Sequence, residues 1–595
     1  MRLWFKKTEN EEMTITTQQR RTAAGAFASL RAWLAVGALS LCAMALTACG
    51  GGSEGVAPPP ANTPPPNASP PTVPPTRNEA ARFLTQATFG PAPADVDRVV
   101  ALGYSAWLEE QFNSQASTHL PAVPAFGDTL TPQFVGQFPL LSSFWTKAAI
   151  APDQMRQRAM YSLSQLFVIS MVDMNVMSYP QGIATYMDLL GRDAFGNFRQ
   201  LLEDVTLSPM MGLYLSHLGN QKEDPATGRV PDENYAREVM QLLTIGLVEM
   251  NPDGSVKLDS RREPIETYSN DDVIGLARVF TGWSWSSPTK NEASFQANRG
   301  LFVTDDRALK PMEPYPQFHS ASAKTFLGKT IPAGIGAEES LKQALDHLFN
   351  HPNVGPFIGK QLIQRSVNSN PSPAYVARVT AVFNNNGQGV RGDMRAMWRA
   401  ILLDPEARNV AKLSDPQFGK LREPVLRLSA WIRAFNVKST SGNYNVFFTD
   451  DPSSGIGQAP FRSPSVFNFY RPGYVPPNTG AAAAGLVVPE MQITSETSAS
   501  SYINFVESMA VLGGAGFLLD LTADYSAERA IADDVDALIN RMDERLTYGA
   551  MSTATKALAR EAVASVPLNT FDARGNRVRL ALLFTLSSPD FIVQR

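Results

Sequence analysis

The chain has 595 residues, of which 44% are hydrophobic and 18% charged, so it can build a large core without disulfides or a structural metal. Its net charge is −4, and it becomes −7 without the first 48 residues, with 46 basic against 53 acidic residues left. This charge balance does not indicate a basic surface of the kind that neutralises nucleic-acid phosphates, so we expect no nucleic-acid partner.

The N-terminus has the order of an export signal: a polar start, basic residues and an uncharged apolar run. Translation starts at Met1 or Met13, and the run over 32–48 is shorter than the roughly 20 residues that cross a membrane. It ends in the letters LTAC, which resemble the lipobox of bacterial lipoproteins and place the cysteine at 49. We predict a signal peptide over 1–48 and lipid attachment at Cys49. An uncleaved N-terminal anchor is the alternative.

Cys49 is expected to be the one cysteine of the mature chain, because Cys42 lies within the removed segment. Lipoproteins retained at the inner membrane tend to carry Asp after the cysteine, whereas this chain has Gly50. We therefore expect a lipid-anchored protein of the cell envelope, at the outer membrane rather than the inner one, facing the periplasm or the surface.

A proline-rich stretch over 49–77 links the anchor to the rest of the chain. Proline favours extended polyproline II, which rises about 3.1 Å per residue, so the stretch could act as a tether of up to roughly 80 Å. A disordered tail with no required reach is the alternative.

From residue 78 onward the apolar residues follow a helical period. A first helix starts at Asn78 and stops at Gly90-Pro91, and a capping box at 269–272 opens another that runs to about Thr281. Further helices are predicted over 153–170, 232–248, 338–350, 353–367, 373–384, 391–404, 418–436, 496–512, 526–548, 553–565 and 572–587.

Strand patterns are few. Asp253-Gly254 predicts one hairpin, and a second short pair is predicted between 302–303 and 325–326. The predicted fold is therefore mainly α: one large multi-helix globular body over 78–595 with at most one or two small β-hairpins. Subdivision of this body near 285–335 and 440–490 is left open.

One group of candidate site residues lies at the start of the helix that contains Glu238. Asn234 and Glu238 are four residues apart and share a face, so Glu238 could be a base or a cation ligand, with Arg237 beside it and Arg278 as its partner. The alternative is an ion pair between helices that only fixes packing.

The other candidates lie on loops. His319 and Lys324 could bind an anionic group, and Trp283 could stack on a sugar ring, although burial in the core is the alternative for an aromatic residue. His351 is a possible binding residue. It follows His347 by four residues, but Pro352 holds it outside the helix, so we predict no metal site and no cofactor.

Several short motifs occur in one order and together resemble a known family. They are RFLTQATFGP at 82–91, NYARE at 234–238, ARVFTGW at 277–283, His319 with KTFLG at 324–328, His351-Pro352, PSVFNFYRPG at 464–473 and SPDF at 588–591. This set resembles the exported bacterial family catalogued as domain of unknown function 1800, over about residues 78–595. One departure is Ser320, where that family often has Asp after the histidine.

The resemblance implies a large exported protein, often encoded beside a second exported family of unknown function, number 1501; it implies no reaction. Two hypotheses follow, and they leave open whether the protein is an enzyme. One is a lipid-tethered envelope protein that binds or assembles with another exported protein, possible partners being the membrane through Cys49 and a member of family 1501. The other is an envelope hydrolase or lyase that acts on a polysaccharide through a Glu/Arg-centred site.

Overall fold

The computed structural model describes residues 74–124, 136–297, 306–512, 514–515 and 520–595, all within one compact unit over 68–595. The described chain is mainly helical, as predicted. Helices α1 to α11 are Arg77–Ala87, Pro93–Leu102, Tyr104–Asn113, Gln137–Ile150, Gln154–Ser164, Met174–Met177, Pro180–Asp193, Phe198–Leu207, Pro209–Tyr214, Asn234–Gln241 and Asn270–Ala277. Helices α12 to α18 are Glu292–Phe295, Ala337–Asn350, Val354–Ser366, Pro373–Asn384, Met394–Leu402, Pro405–Arg408 and Pro424–Ala434. Helices α19 to α25 are Gly480–Ala483, Glu496–Leu512, Ser526–Ala530, Val535–Thr547, Thr553–Ala564, Ala573–Leu586 and Pro589–Ile592.

The described strands are very short and antiparallel. Strands β1 to β9 are Trp283–Ser284, Glu313–Pro314, Lys324–Phe326, Lys329–Ile331, Lys420–Leu421, Lys438–Ser439, Gly514–Ala515, Leu521–Thr522 and Val593–Gln594. The pairs are β1 with β2, β3 with β4 and β5 with β9, and a three-stranded sheet has the order β6-β8-β7. Most of these pairs join segments far apart in the sequence, which a local strand pattern cannot indicate.

Both predicted hairpin regions can be compared with the structure. Met250 pairs with Val256 across the turn at Asp253-Gly254, so the first hairpin is confirmed. Thr325 lies in β3, which pairs with β4. The other half of the predicted second pair, 302–303, lies outside the described residues.

Side-chain caps explain why several helices begin where they do. The Thr76 hydroxyl and the Glu79 carboxylate form a capping box at α1, and Ser269 with Asp272 forms the predicted one at α11. Helix α11 continues as a 3-10 turn over Arg278–Phe280, in agreement with the predicted end near Thr281.

A largely exposed segment, residues 247–267, is named here the β arm. Its three short stretches pair with one another, as in the backbone hydrogen bonds from Lys257 to Glu249 and from Ile265 to Lys257. The buried Asn353 side chain donates to the Val248 carbonyl and accepts from the Met250 N–H, so the base of the β arm is fixed to the body.

One continuous apolar core extends from Ala80 in α1 to Phe591 in α25. Burial of that core is the main stabilising term, and it fixes the helices on which the polar side chains of the next section stand. No described helix is both long enough and apolar enough to cross a membrane.

Candidate functional site

Glu238 and Arg237 are neighbours on α10 but face different surroundings. Glu238 is buried, and its Oε2 finds no hydrogen-bond partner in the described chain. Burial raises the pKa of this carboxyl group, which the Arg237 charge offsets only in part. Arg237 itself donates to the Asn270 side chain on α11, and Asn234 lies exposed in the first turn of α10.

A second group of predicted residues surrounds His319. Its Nδ1 donates to the Thr281 carbonyl at 2.7 Å, so Nε2 carries a bare lone pair, and no described group hydrogen-bonds to it. Lys324 is fully buried and donates to the Ser320 carbonyl at 2.9 Å, while the Ser320 hydroxyl donates to Glu223 at 2.8 Å. Ser320, the departure from the family pattern, thus recruits a carboxylate from another segment.

Arg278 belongs to this second group and not to Glu238. Its guanidinium donates to the Ala323 carbonyl at 3.0 Å and interacts electrostatically with Glu223. Burial, and then the Lys324 charge, lower the pKa of His319. Arg278, His319 and Lys324 therefore come together, whereas the expected pair between Arg278 and Glu238 is not formed, because the 3-10 turn after α11 directs the arginine toward β3.

Trp283 and His351 lie apart from both groups. Trp283 is buried in β1, so its ring is not presented as a stacking platform. His351 follows the last turn of α13 and accepts from the Asn353 N–H at 3.2 Å, and burial lowers its pKa. His347 is occupied by the Leu327 carbonyl at 3.0 Å. The described residues include no group of three or more metal-ligating side chains.

A larger polar site lies deeper in the body and was not predicted. We name it the Glu423 cluster. Its members are buried polar side chains from segments far apart in the sequence. Arg158, Tyr161 and Gln165 lie on α5 or at its C-terminal end, Arg365 on α14, Lys420 on β5 and Glu423 at the start of α18, and Gln458, Tyr470 and Glu490 lie in the segments after α18.

The centre of the cluster is a single carboxylate oxygen with four donors. Glu423 Oε2 accepts from the amide groups of Gln165 and Gln458, both at 2.6 Å. It also accepts from the hydroxyl groups of Tyr470 at 2.8 Å and Tyr161 at 3.2 Å. The other oxygen, Oε1, is buried without a hydrogen bond from any described residue, and leaving it unpaired costs about 1–3 kcal/mol.

Charges around Glu423 are also buried. Lys420 pairs with Glu490 at 3.0 Å with both side chains almost fully buried, and Arg158 donates to the Arg365 carbonyl at 2.6 Å. Burial alone would raise the pKa of Glu423, but the charges of Lys420 and Arg158 bring it below its ordinary value. The carboxylate is therefore held in its ionised form.

A cavity of about 10 Å³, which is room for one water molecule, adjoins the cluster. Tyr161 and Gln165 form part of its wall, and Asn468 and Ser463 form the opposite part. The side-chain oxygen Oε1 of Gln165 and the side-chain nitrogen Nδ2 of Asn468 have no hydrogen-bond partner among the residues described.

Tyr214 connects this wall to the first group. It lies beside the Ser463 hydroxyl and within electrostatic reach of Glu238. Burial and then the Asp173 carboxylate raise the pKa of Tyr214 to about 12, so its hydroxyl remains protonated and can donate. Glu238, one of the predicted residues, is thus an outer neighbour of the cavity.

Tyr470 and Asn468 lie in the motif at 464–473, which was predicted only as part of the family resemblance and not as a site. The signals that point to a site are a Tyr and an Asn in a proline-rich loop, together with the polar Gln165 after an otherwise apolar helical stripe. Glu423 itself is followed by Pro424, the usual start of a helix, and carries no local sign of function.

The chain was compared with known proteins. The family model DUF1800, described as a protein of unknown function, matches residues 82–593. No curated protein and no solved structure matches the chain. Since the match covers most of the sequence, including both groups and the Glu423 cluster, the chain belongs to the DUF1800 family.

Proposed function

We propose that this protein is a lipid-anchored component of the cell envelope that binds another exported protein. The anchor is the Cys49 lipobox, and the proline-rich stretch after it is the tether. The binding surface we assign is the β arm, and the arm is the observation that carries the proposal.

The β arm presents apolar side chains from a fixed base. Leu247, Val256 and Leu258 are 56%, 41% and 52% exposed. Val256 and Leu258 are two residues apart on one stretch, so they point to the same side. Single exposed apolar residues are common, but three on one short exposed segment that a buried asparagine holds in place are typical of an interaction site.

Polar side chains near these apolar residues could form the polar border of a binding interface. Asp259, Arg261 and Glu263 at the far turn are exposed and of mixed charge. Interfaces combine an apolar centre with a polar border, so the partner should carry an apolar groove edged by charges of both signs. A neighbouring exported protein of family 1501 is the first partner to test.

The experiment is purification of the lipidated protein from envelopes, with and without that neighbour. A chain with Val256→Asp and Leu258→Asp should lose the co-purified partner while its denaturation curve stays unchanged. Val390→Asp, at a similarly exposed position on another loop, is the matched control and should keep it. Recovery of the same partner with the β-arm variant would show that the arm is not the binding surface.

A second candidate function is an envelope hydrolase or lyase that acts on a polysaccharide through a Glu/Arg-centred site. The Glu423 cluster supplies one of its carboxyl groups, and the adjoining cavity, with room for one water molecule, would have to open to admit a sugar. Enzymes of this kind need one carboxyl group held ionised and another that retains its proton. The pKa of Glu423 is lowered and that of Glu238 is raised, and Tyr214 lies beside Ser463 of the cavity wall and within electrostatic reach of Glu238.

Turnover of isolated envelope polysaccharide, followed by mass spectrometry of released fragments, tests this candidate. Asn468→Ala, on the cavity wall, should abolish release without unfolding the chain. The exposed Asn569→Ala is the matched control. Release that survives Asn468→Ala, Glu238→Gln and Glu423→Gln alike would exclude this site as its source.

A further inference from the structure

The loop between α23 and α24 exposes two large apolar side chains at its end. Phe571 is 93% exposed and Leu568 is 52% exposed, and both follow Pro567 in a tight turn. We name residues 567–571 the apolar tip. An almost fully exposed phenylalanine is unusual in a folded body, where aromatic side chains are normally the largest contributors to burial.

The backbone of the apolar tip is held from behind, so the exposure is not the result of a loose loop. The Thr570 N–H and hydroxyl both bond to the Pro567 carbonyl, at 3.2 and 2.8 Å. The buried Arg577 guanidinium donates twice to the Val566 carbonyl, at 3.0 and 2.9 Å, and Asn576 donates to the Phe571 carbonyl at 3.1 Å. The fold therefore presents these side chains in one fixed arrangement.

The charges behind the apolar tip are paired with one another. Asp572 forms ion pairs with Arg529 and Arg579, and Arg574 pairs with Asp533. Residues 569–570 of the tip itself are polar but uncharged. A surface that contacts the tip would therefore meet apolar and neutral groups first, with little charge to desolvate.

We propose that the apolar tip inserts into the surface of the lipid bilayer that holds the anchor. A convex tip of two side chains offers too little area for a stable protein interface, which needs about 800 Å² from each partner. A bilayer accepts isolated aromatic and aliphatic side chains at the level of its headgroups.

The position of the apolar tip fits this assignment, which rests on the lipid anchor of the proposed function. Arg77, where the tether joins α1, pairs with Glu544 near the end of α22. Asp533, behind the tip, lies just before α22, and a rise of 1.5 Å per residue separates Val535 at the start of that helix from Glu544 by about 14 Å. A tether of up to roughly 80 Å leaves the tip within reach of the membrane.

The insertion can be measured on the full lipidated chain, because Cys49 would be blocked by lipid and a new thiol would be the only reactive one. Phe571→Cys carries an environment-sensitive fluorophore, and Val390→Cys is the matched control on another exposed loop. On phosphatidylcholine vesicles with spin-labelled lipid, the probe at 571 should shift to the blue and be quenched, and the probe at 390 should not. The signal should be the same at low and high salt and with or without phosphatidylglycerol, since no free charge contributes.

A second measurement separates this proposal from the anchor. Without the lipid, in a Cys49→Ser chain, flotation with the same vesicles should fall on the order of tenfold when Leu568→Ser and Phe571→Ser are added. An aqueous probe at 571 in a chain that mass spectrometry shows to be lipidated would refute insertion and leave the anchor intact. If the chain carries no lipid in its host but its flotation still depends on the tip, the result would refute the anchor and support insertion. A probe that responds only after envelope proteins are added would assign the tip to a protein pocket and refute the proposal.

Discussion

Replacement of Glu423 by glutamine tests how much the buried cluster contributes to the fold. The substitution keeps the volume and one acceptor oxygen, so it creates no cavity, but it removes the charge and replaces the other oxygen by an NH2 group. Glu423 is fully buried, and four donors converge on its Oε2. A glutamine amide would turn two of its own N–H groups toward a site that is already rich in donors.

The expected loss follows from the charges left without compensation. Lys420 retains Glu490, but Arg158 and Arg365 lose the carboxylate whose electrostatic interaction with them offsets their burial. Breaking a direct buried ion pair by removing one partner costs about 3–5 kcal/mol, and Glu423 interacts with these arginines electrostatically, through no ion pair among the described residues. We expect Glu423→Gln to lower the free energy of unfolding by about 3 kcal/mol, which is a large part of the stability of a typical domain.

Urea denaturation followed by tryptophan fluorescence measures this loss at neutral pH. Glu561→Gln, at an exposed position on α23, is the control and should stay within about 0.5 kcal/mol of the natural chain. A loss below about 1 kcal/mol for Glu423→Gln, with native fluorescence, would refute the electrostatic account of the cluster.

The pH dependence gives an independent check. The pKa of Glu423 in the folded chain is below the ordinary value of 4.5, so its contribution is fully present above that value. It is lost as the pH falls through the lowered folded pKa. The difference between natural chain and variant should therefore be constant near neutrality and shrink in acid.

Three further substitutions are read by the same denaturation. Gly275→Ala in α11 should destabilise by about 1–3 kcal/mol, because its Cβ would overlap the Thr325 carbonyl oxygen, whereas Ile274→Ala beside it should cost about 0.5 kcal/mol or less. Glu238→Gln should raise stability at neutral pH by on the order of 1 kcal/mol, because burial raises the pKa of Glu238; a gain that persists below the ordinary pKa of 4.5 would contradict this cause. Burial lowers the pKa of His119 to about 3, so the unfolded chain takes up a proton first as the pH falls below 6.5. His119→Gln should flatten the resulting acid slope of about 1.4 kcal/mol per pH unit, and an unchanged slope would assign it to other groups.

Helical periodicity predicted the long amphipathic helices well but missed places where a side chain caps the backbone. Residues 553–565 and 572–587 lie within one residue of α23 and α24. The stretch predicted as one helix over 526–548 is instead α21 and α22, since Asp534 caps the second helix through the Ala537 N–H. Likewise the helix predicted to reach residue 170 ends at Ser164. Apolar spacing continues through such breaks, so it cannot show them.

Candidate residues were predictable within each short motif, but the contacts between motifs were not. The motif at 277–283 and the residues from His319 to Lys324 do meet around Glu223. The Glu423 cluster is assembled from segments hundreds of residues apart, as in the contact of Tyr161 with Glu423. A single sequence carries no signal for such a meeting.

The same separation explains how the cluster acts on the whole body. Its members stand on α5, α14, β5 and the loops after α18, so it can form only when both halves of the chain are folded. Partial assembly would leave a buried carboxylate beside unpaired guanidinium groups, which is less stable than either the complete cluster or the solvated chain. Such a site disfavours intermediates with one half folded, so unfolding followed by fluorescence and by circular dichroism should give one coincident transition. That rigidity is what a body needs if it is to hold the β arm and the apolar tip in the fixed positions that the two proposals require.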